Sequence, residues 1–361
     1  MPGTKGTKKL KIVEVSGSHY EMGFQYGAAC PEIRKMLDNV RQLFGGPERT
    51  RAIIQEYVPM YLPAVEKYAP EIVGEMKGIA AGANVELEDI QLLNIMYEIA
   101  TPYIMGGCTA FAAAGEATAD GEVIAGQNFD AVDRGEGSII ILKMKPAQGP
   151  RILSMATVGS LGLIGFNSAG ISFNLNLLKN KDSLTPTGGV PTHIILRKVF
   201  MCENIGEVIT TIGSAEGRAA KNYLVTNEQG DIINVETTMN DLDIQYPERG
   251  MLTHANHFKA DRFKSDDLAY LVVPDAYLRS YRLFKLMEHY HGKLTVDILK
   301  QLLQDHNNYP NAICRHGDLK APLETGRLTK TLISIITCPK EQKAYMSVGN
   351  PCENEYMEYL L

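Results

Sequence analysis

The chain has 361 residues, a net charge of −6, and 45% hydrophobic against 22% charged residues, a composition typical of a globular protein with a substantial core. The acidic balance excludes a chain-wide basic surface for nucleic acid, and the basic cluster over residues 5–11 is predicted to be a solvated tail. No apolar run reaches the roughly 18–20 residues of a membrane span, and the N-terminus lacks the apolar stretch of a secretory signal. We expect a cytoplasmic protein without a membrane partner.

The first 107 residues predict a mostly helical leader. Residues 10–15 alternate as a strand does, and helical spacing of apolar residues then covers 19–40, 48–78 and 87–99. Interruptions of the second helical block are expected near Pro59, Pro63 and Pro70.

After residue 107 the apolar period changes to two. Strands are predicted over 108–114, 121–128, 137–145, 151–157, 161–167, 170–177, 221–227, 231–237, 329–337 and 342–348. Helices are predicted over 191–203, 204–213, 275–292 and 294–304. This order favours an α+β protein, with sheets covered by helices, over a parallel doubly wound fold. The leader, 1–107, is expected to pack on the remaining 108–361 as part of one domain.

The cysteines and histidines give no sign of a metal site along the chain. Six cysteines are scattered without a Cys-x-x-Cys pair, at positions 30, 108, 202, 314, 338 and 352, which argues against a disulfide scaffold and a zinc ribbon. The close pairs His254/His257 and His289/His291 have no cysteine or carboxylate at ligand spacing. No metal and no cofactor are therefore expected.

Cys108 is the residue that points most directly to chemistry, because it follows Gly106 and Gly107 where helical spacing gives way to alternation. A cysteine in an apolar strand is ordinarily a small buried hydrophobe. The glycines, however, free the backbone for the strained geometry in which the thiol attacks the preceding carbonyl. Cleavage of the Gly107–Cys108 bond would give one residue a thiol, of unperturbed pKa about 8.5, and an α-amino base, of pKa about 7.7–8. The sequence predicts such an N-terminal nucleophile.

Four short motifs carry a resemblance: Gly-Cys-Thr at 107–109, Gly-Gln-Asn-Phe-Asp at 126–130, Leu-Thr-His-Ala-Asn-His-Phe at 252–258, and the glycine-containing segment 17–27. In this order and spacing they resemble the acyl-coenzyme A:6-aminopenicillanic acid acyltransferase family, a self-processing cysteine branch of the N-terminal-nucleophile hydrolases. The resemblance implies a four-layer αββα sandwich, autocatalytic cleavage before Cys108, a leader that stays bound, and cofactor-free amide hydrolysis or acyl transfer. Small acyl-amides such as N-acyl amino acids, or acyl thioesters, are the expected substrates.

The resemblance also implies roles for individual residues. Asp130 falls where the family's catalytic aspartate anchors the new amino group, and Asn256 matches an oxyanion donor. The second donor is Asn176 or, on the same face of its predicted strand, Asn174; losing one donor typically costs about 2.7–4 kcal/mol of barrier. Gln127 stands where the related bile-salt and penicillin V hydrolases carry arginine, which favours the acyltransferase branch.

Two residues are weaker candidates, and two other functions stay open. Arg279, one turn before Arg282, and Glu236 are candidates for supporting the site. A papain-like protease with His254 as its base is one alternative function; an uncut, non-catalytic relative that binds an acyl ligand is the other. The sequence leaves the acyl group, the amine, hydrolysis against transfer, and formation of a homo-oligomer undecided.

Overall fold

The computed structural model describes residues 5–100, 107–132, 137–317 and 329–361. Within the leader, the elements are β1 (Lys11–Gly17), α1 (His19–Ala29), α2 (Glu32–Leu43), α3 (Pro47–Tyr68), α4 (Pro70–Ala83) and α5 (Leu87–Ile99). The strands that follow are β2 (Gly107–Ala113), β3 (Ile124–Val132), β4 (Ile139–Pro146), β5 (Ile152–Thr157), β6 (Ile164–Asn167), β7 (Ile171–Leu177), β8 (Lys221–Asn227), β9 (Ile232–Thr237), β10 (Leu242–Gln245), β11 (Met251–His254), β12 (Thr329–Cys338), β13 (Lys343–Val348) and β14 (Tyr356–Leu360). The later helices are α6 (Thr192–Val199), α7 (Ile205–Ser214), α8 (Ala269–Val272), α9 (Asp275–His289) and α10 (Val296–Leu302).

Two stacked sheets form the centre of the molecule. Among the described residues, the larger sheet has eight strands in the order β1-β4-β5-β6-β7-β8-β9-β10, and the smaller has six in the order β11-β2-β3-β12-β13-β14. The sheets face each other where β2 and β3 contact β7. Helices of the leader, with α6 and α7, cover the larger sheet, and α9 and α10 cover the smaller one. The predicted α+β, four-layer αββα sandwich is confirmed.

The observed elements depart from the predicted ones in a few places. The helix predicted over 19–40 divides at Cys30–Pro31, and α3 continues through Pro59 and Pro63, so that the break falls only before Pro70. Both inner prolines lie on the exposed face of α3, where water can satisfy the carbonyls that lose their helical partners. The short strands β10, β11 and β14 were not predicted, because four or five residues give too little alternation to recognise.

The leader is built into the sandwich and is not a separate unit. Its strand β1 pairs in parallel with β4, from Lys11 opposite Ile140 to Gly17 opposite Pro146. Its helix α5 packs on α6, and leader side chains share one apolar core with the larger sheet. Cutting the chain after residue 107 would leave these contacts in place, which supports the expectation that the leader stays bound.

Helices α1 and α4 cross at van der Waals distance of their backbones, and glycines make this possible. A Cβ atom added at Gly23 of α1 would lie 2.1 Å from the carbonyl oxygen of Glu75, and one added at Gly82 of α4 would lie 2.1 Å from that of Phe24. Gly27 and Gly78 are equally tight. The glycines of the 17–27 motif therefore have a packing role.

A buried ion-pair cluster holds the same crossing to the rest of the fold. His19 Nδ1 lies 2.6 Å from one oxygen of Glu75, and Arg197 Nε on α6 lies 2.9 Å from the other. Burial alone would raise the pKa of Glu75, but Arg197 and His19 outweigh it and hold that pKa below its ordinary value. The motif residue His19 thus also has a structural partner.

Gly82→Ala is expected to lower the free energy of unfolding by about 1–3 kcal/mol, because its methyl group must push the two helix backbones apart. Gly74→Ala is the matched control: it lies on the same helix with no atom within 4 Å of the new Cβ, and should stabilise by roughly 0.5–1 kcal/mol through helix propensity. Thermal unfolding of the two variants beside wild type measures both. A Gly82→Ala protein as stable as wild type would contradict the close crossing.

Candidate active site

Cys108 lies at the start of β2, a strand held on both sides by neighbours. Antiparallel pairing places Cys108 opposite Phe129 of β3, and β11 pairs with β2 from Ala110 onward. The side chain is almost fully buried. The backbone of this cysteine is therefore fixed by the smaller sheet and by its side-chain partners.

Gly107 packs directly against charged side chains. A Cβ added there would lie 2.9 Å from Asp130 Oδ2 and 3.2 Å from Arg315 Nε. The residue belongs to an extended strand, and its φ is not in the left-handed region. Glycine is thus required here because there is no room for a side chain, and not because the backbone conformation is unusual. Gly106 lies outside the described residues.

Asn256 contacts the backbone nitrogen of Cys108. Its Oδ1 accepts hydrogen bonds from the Cys108 N–H at 2.8 Å and from Arg279 Nη2 at 3.0 Å. Its Nδ2 donates to the carbonyl of Leu177 at 3.0 Å, at the end of β7. The side chain therefore ties the start of β2 to the facing sheet, and within the described ranges one of its two amide hydrogens has no acceptor.

Arg279 holds Cys108 from the carbonyl side. Its Nη1 donates to the carbonyl oxygen of Cys108 at 2.7 Å and to Thr109 Oγ1 at 2.8 Å. Its Nε donates to Asp275 one turn earlier on α9, at 2.6 Å, so the guanidinium is fixed although fully buried. Arg282 instead contacts Asp305 and is partly exposed, outside this cluster.

Asp130 is a buried carboxylate beside Gly107. Its Oδ1 accepts from Thr331 Oγ1 at 2.7 Å, and its Oδ2 lies 3.5 Å from Arg315 Nε. Burial raises its pKa to about 6, although Arg315 and Arg279 act in the opposite direction. With a pKa of about 6, the carboxylate is mostly ionised at neutral pH. It becomes protonated when the pH falls below about 6.

The Cys108 thiol is protonated in the uncut chain. Burial raises its pKa to about 12, and the negative charge of Asp130 adds to this effect. A backbone hydrogen bond from Asp130 and the charges of Arg279 and Arg315 offset only part of the rise. A thiol in this state needs a nearby base before it can attack.

Asn176 lies near the end of β7, two residues after Asn174. It precedes Leu177, the residue that accepts from Asn256, and its Oδ1 accepts from Asn222 Nδ2 at 2.9 Å. Its buried Nδ2 has no partner among the described residues, as is true of both polar atoms of Asn174. Gln127 joins the two sheets by accepting from the Leu175 N–H at 2.9 Å.

Glu236 and His254 form a separate buried pair. His254 Nε2 lies 2.6 Å from Glu236 Oε1, and its Nδ1 lies 2.6 Å from the Ala255 carbonyl. Glu236 also accepts from two backbone N–H groups, those of Lys259 and Ala260. Both ring nitrogens of His254 are thus engaged, and no hydrogen bond joins His254 to Cys108 within the described parts of the chain.

Three residues of the cluster escaped the sequence analysis: Asp275, Arg315 and Thr331. The Asp275–Arg279 spacing of four on a helix was a readable signal for an ion pair. Thr331 gave none, because it reaches Asp130 only through the pairing of β12 with β3. Arg315 gave none either, because hydrogen bonds between its backbone and Thr331 bring it there.

Comparison with known proteins identifies a matching family and several relatives of this chain. The family model described as acyl-coenzyme A:6-aminopenicillanic acid acyl-transferase matches residues 117–353. A curated relative, the acyl-coenzyme A:6-aminopenicillanic-acid-acyltransferase 40 kDa form of Emericella nidulans, is 29% identical over 344 residues, which are 94% of this chain and 92% of the relative. An uncharacterized protein of Archaeoglobus fulgidus is 24% identical over 374 residues. The alignment covers 90% of this chain and 62% of the length of that protein.

Two solved structures are also similar to this chain. A mutant of conjugated bile acid hydrolase from Clostridium perfringens has a TM-score of 0.47 and 15% identity over 70% of this chain and 97% of that one. The Caenorhabditis elegans ortholog of N-acylethanolamine-hydrolyzing acid amidase has a TM-score of 0.44 and 12% identity over 64% of this chain and 93% of that one.

The described chain is an αββα sandwich with a buried cysteine at the start of an inner strand of its smaller sheet. The chain belongs to the acyl-coenzyme A:6-aminopenicillanic acid acyltransferase family, as its motifs predicted. Family membership indicates an acyl-amide hydrolase or acyltransferase. No helix in the described parts of the chain is long and apolar enough to cross a membrane.

Proposed function

We propose that the protein cuts its own chain between Gly107 and Cys108 and then uses Cys108 to hydrolyse or transfer the acyl group of small acyl-amides. The observation that carries the proposal is the clamp on Cys108: Asn256 accepts from its N–H, and Arg279 donates to its carbonyl. Any buried N–H needs an acceptor, but here a side-chain carbonyl, and not the neighbouring strand, provides it. An α-amine formed at this nitrogen would already have its acceptor in place.

Self-cleavage would begin with attack of the Cys108 sulfur on the Gly107 carbonyl carbon. The thiol proton passes to the departing amide nitrogen, the peptide C–N bond breaks, and a thioester links Gly107 to the sulfur. Water then hydrolyses the thioester to a Gly107 carboxylate and a free thiol. Asp130, which lies against Gly107 and has a pKa of about 6, is suited to relay the proton.

In the cut protein, the new α-amino group of Cys108 would act as the base. Asn256 Oδ1 and the Asp130 carboxylate hold it, and it takes the thiol proton as the sulfur attacks the substrate carbonyl. The oxyanion that forms would be stabilised by amide hydrogens of Asn256 and of Asn176, whose buried Nδ2 has no partner among the described residues. Collapse expels the amine, which takes the proton back, and leaves an acyl thioester.

The thioester can react with water or with an amine, so both hydrolysis and transfer are open to the same site. The name of the Emericella relative joins an acyl-coenzyme A donor to an amine acceptor. For this chain we propose two substrate classes by analogy: acyl thioesters as acyl donors, and N-acyl amino acids as the amides that are hydrolysed. The papain-like alternative loses support, since His254 is held by Glu236 and Ala255.

Incubation of cut protein with a panel of N-acyl amino acids and acyl-coenzyme A thioesters tests this function. Free acid is expected as the basal product, and new amide when a fitting amine is added with an acyl thioester. Cys202→Ala, which removes another buried thiol, should behave as wild type. No turnover of any amide or thioester, in fully cut protein whose Cys108 reacts with iodoacetamide, would leave the non-catalytic binding function in its place.

A further inference from the structure

Four metal-binding side chains meet on the side of the molecule where β12 begins. His306, Cys314 and His316 come from the segment between α10 and β12, and Cys352 comes from the turn between β13 and β14. One nitrogen or sulfur atom from each lies within 4.8 Å of the others. The proposed reaction uses none of these side chains.

The distances within this cluster are those of a tetrahedral site. Zn–S bonds of about 2.3 Å and Zn–N bonds of about 2.0–2.1 Å, at tetrahedral angles, place two sulfurs about 3.8 Å apart, sulfur and nitrogen about 3.5 Å apart, and two nitrogens about 3.4 Å apart. The Cys314 and Cys352 sulfurs are separated by 3.6 Å. His316 Nε2 lies 3.7 Å from Cys314 Sγ, 3.5 Å from Cys352 Sγ and 3.1 Å from His306 Nε2.

Neighbouring groups provide the outer contacts that metal ligands commonly have. Asn350 Nδ2 donates to Cys314 Sγ at 3.4 Å and to the Arg315 carbonyl at 2.7 Å. Glu353 lies 3.8 Å from Nδ1 of His316, the ring nitrogen that faces away from the cluster. The exposed His306 gives the site a route to solvent.

We propose that His306, Cys314, His316 and Cys352 bind one zinc ion as a closed Cys₂His₂ site. Two thiolates and two imidazoles fill a tetrahedral coordination sphere and leave no position for substrate, which makes the site structural. On binding, each thiol releases its proton to solvent, and the histidines bind as neutral rings. The expectation of no metal compared only residues close along the chain, and Cys352 is distant in sequence.

The ion would stabilise the part of the chain that supplies Arg315. This residue stands between two of the ligands, and its guanidinium lies beside Asp130 and donates to Asp275. Its backbone is bonded to Thr331 in both directions, at 2.9 Å each. Zinc would therefore hold the 314–316 segment against the active-site cluster without touching a reacting atom.

Metal analysis of protein purified without chelators should give one zinc per chain. In reduced, metal-free protein, added Co²⁺ should produce the visible bands of a tetrahedral ion and a sulfur-to-cobalt charge-transfer band. Loss of an outer contact typically weakens metal binding by about 10–100-fold. His306→Gln and Cys352→Ser each remove a ligand, so each should weaken zinc binding by more than that. Cys202→Ser, a buried thiol elsewhere, should bind as wild type.

His306 is exposed, so His306→Gln should remove a zinc ligand without unfolding the protein. Circular dichroism and thermal unfolding show whether the variant is still folded. Zinc retained at one per chain in both ligand variants would overturn the proposal. So would reduced protein that binds neither zinc nor Co²⁺. Recovery of Cys314 and Cys352 as a disulfide from protein purified without reductant, with sulfurs about 2.05 Å apart, would likewise overturn it. These measurements do not depend on catalysis.

Discussion

Cys108→Ala is expected to remain a single chain of 39.8 kDa, whereas wild-type protein separates under denaturing conditions into a leader ending at Gly107 and a chain that begins Cys-Thr-Ala-Phe. Alanine has no sulfur to attack the Gly107 carbonyl, so neither the thioester nor the new amine can form. Turnover should fall to background in the same variant. Intact-mass spectrometry after long incubation measures the first result, and the acyl-amide assay the second.

Cys202→Ala is the control for this experiment, since it removes a buried thiol outside the Cys108 cluster. It should be cut and active. Native size-exclusion chromatography of the cut protein should recover leader and core together, because β1 pairs with β4. Active wild-type protein that stays uncut would show that an N-terminal amine is not the base.

Asn256→Ala is expected to lower kcat by about 10²–10³, the usual cost of one lost oxyanion donor. Asn256→Asp separates the two roles of this side chain. Aspartate keeps an oxygen that can accept from the Cys108 nitrogen and Arg279, as Oδ1 does now, but it has no amide hydrogen for the oxyanion. Equal losses of kcat in both variants, with KM little changed, would support donation to the oxyanion.

Both variants are to be assayed as cut protein with Cys108 titrated by iodoacetamide. Near-normal kcat in Asn256→Asp would assign Asn256 to positioning alone, and matching losses of folding and activity would assign it to structure. His254→Ala is the companion variant: a loss of several orders of magnitude in properly folded protein would favour the papain-like mechanism.

The sequence predicted the site residues that belong to short motifs and lie on or next to neighbouring strands. Cys108 and Asp130 lie on adjacent strands of one hairpin, and Asn256 directly follows β11, which also borders β2. Alternation already indicates the pairing of β2 with β3, whereas β11 is too short to be predicted, and Asn256 is found only through its motif. The chemical roles of these residues remain predictions.

The parts that could not be predicted depend on contacts between distant segments. Arg315 reaches Asp130 because β12 lies against β3, and no local pattern specifies that pairing. The continuation of α3 through Pro59 and Pro63 is a similar case, since tertiary packing of its buried face outweighs the local cost of two prolines. His306 and Cys352 likewise meet only in the folded chain.

The parallel pairing of β1 with β4 has a consequence for biosynthesis. β4 carries the most apolar run of the chain, Ile139–Leu142, all buried, and without β1 its outer N–H and C=O groups would be open to pairing with another molecule. A core produced without residues 1–107 would therefore expose an aggregation-prone edge. Because the leader precedes β4 along the chain, we expect it to be available to pair with that strand as soon as the strand is made. Loss of residues 1–107 after folding would expose the same edge of β4.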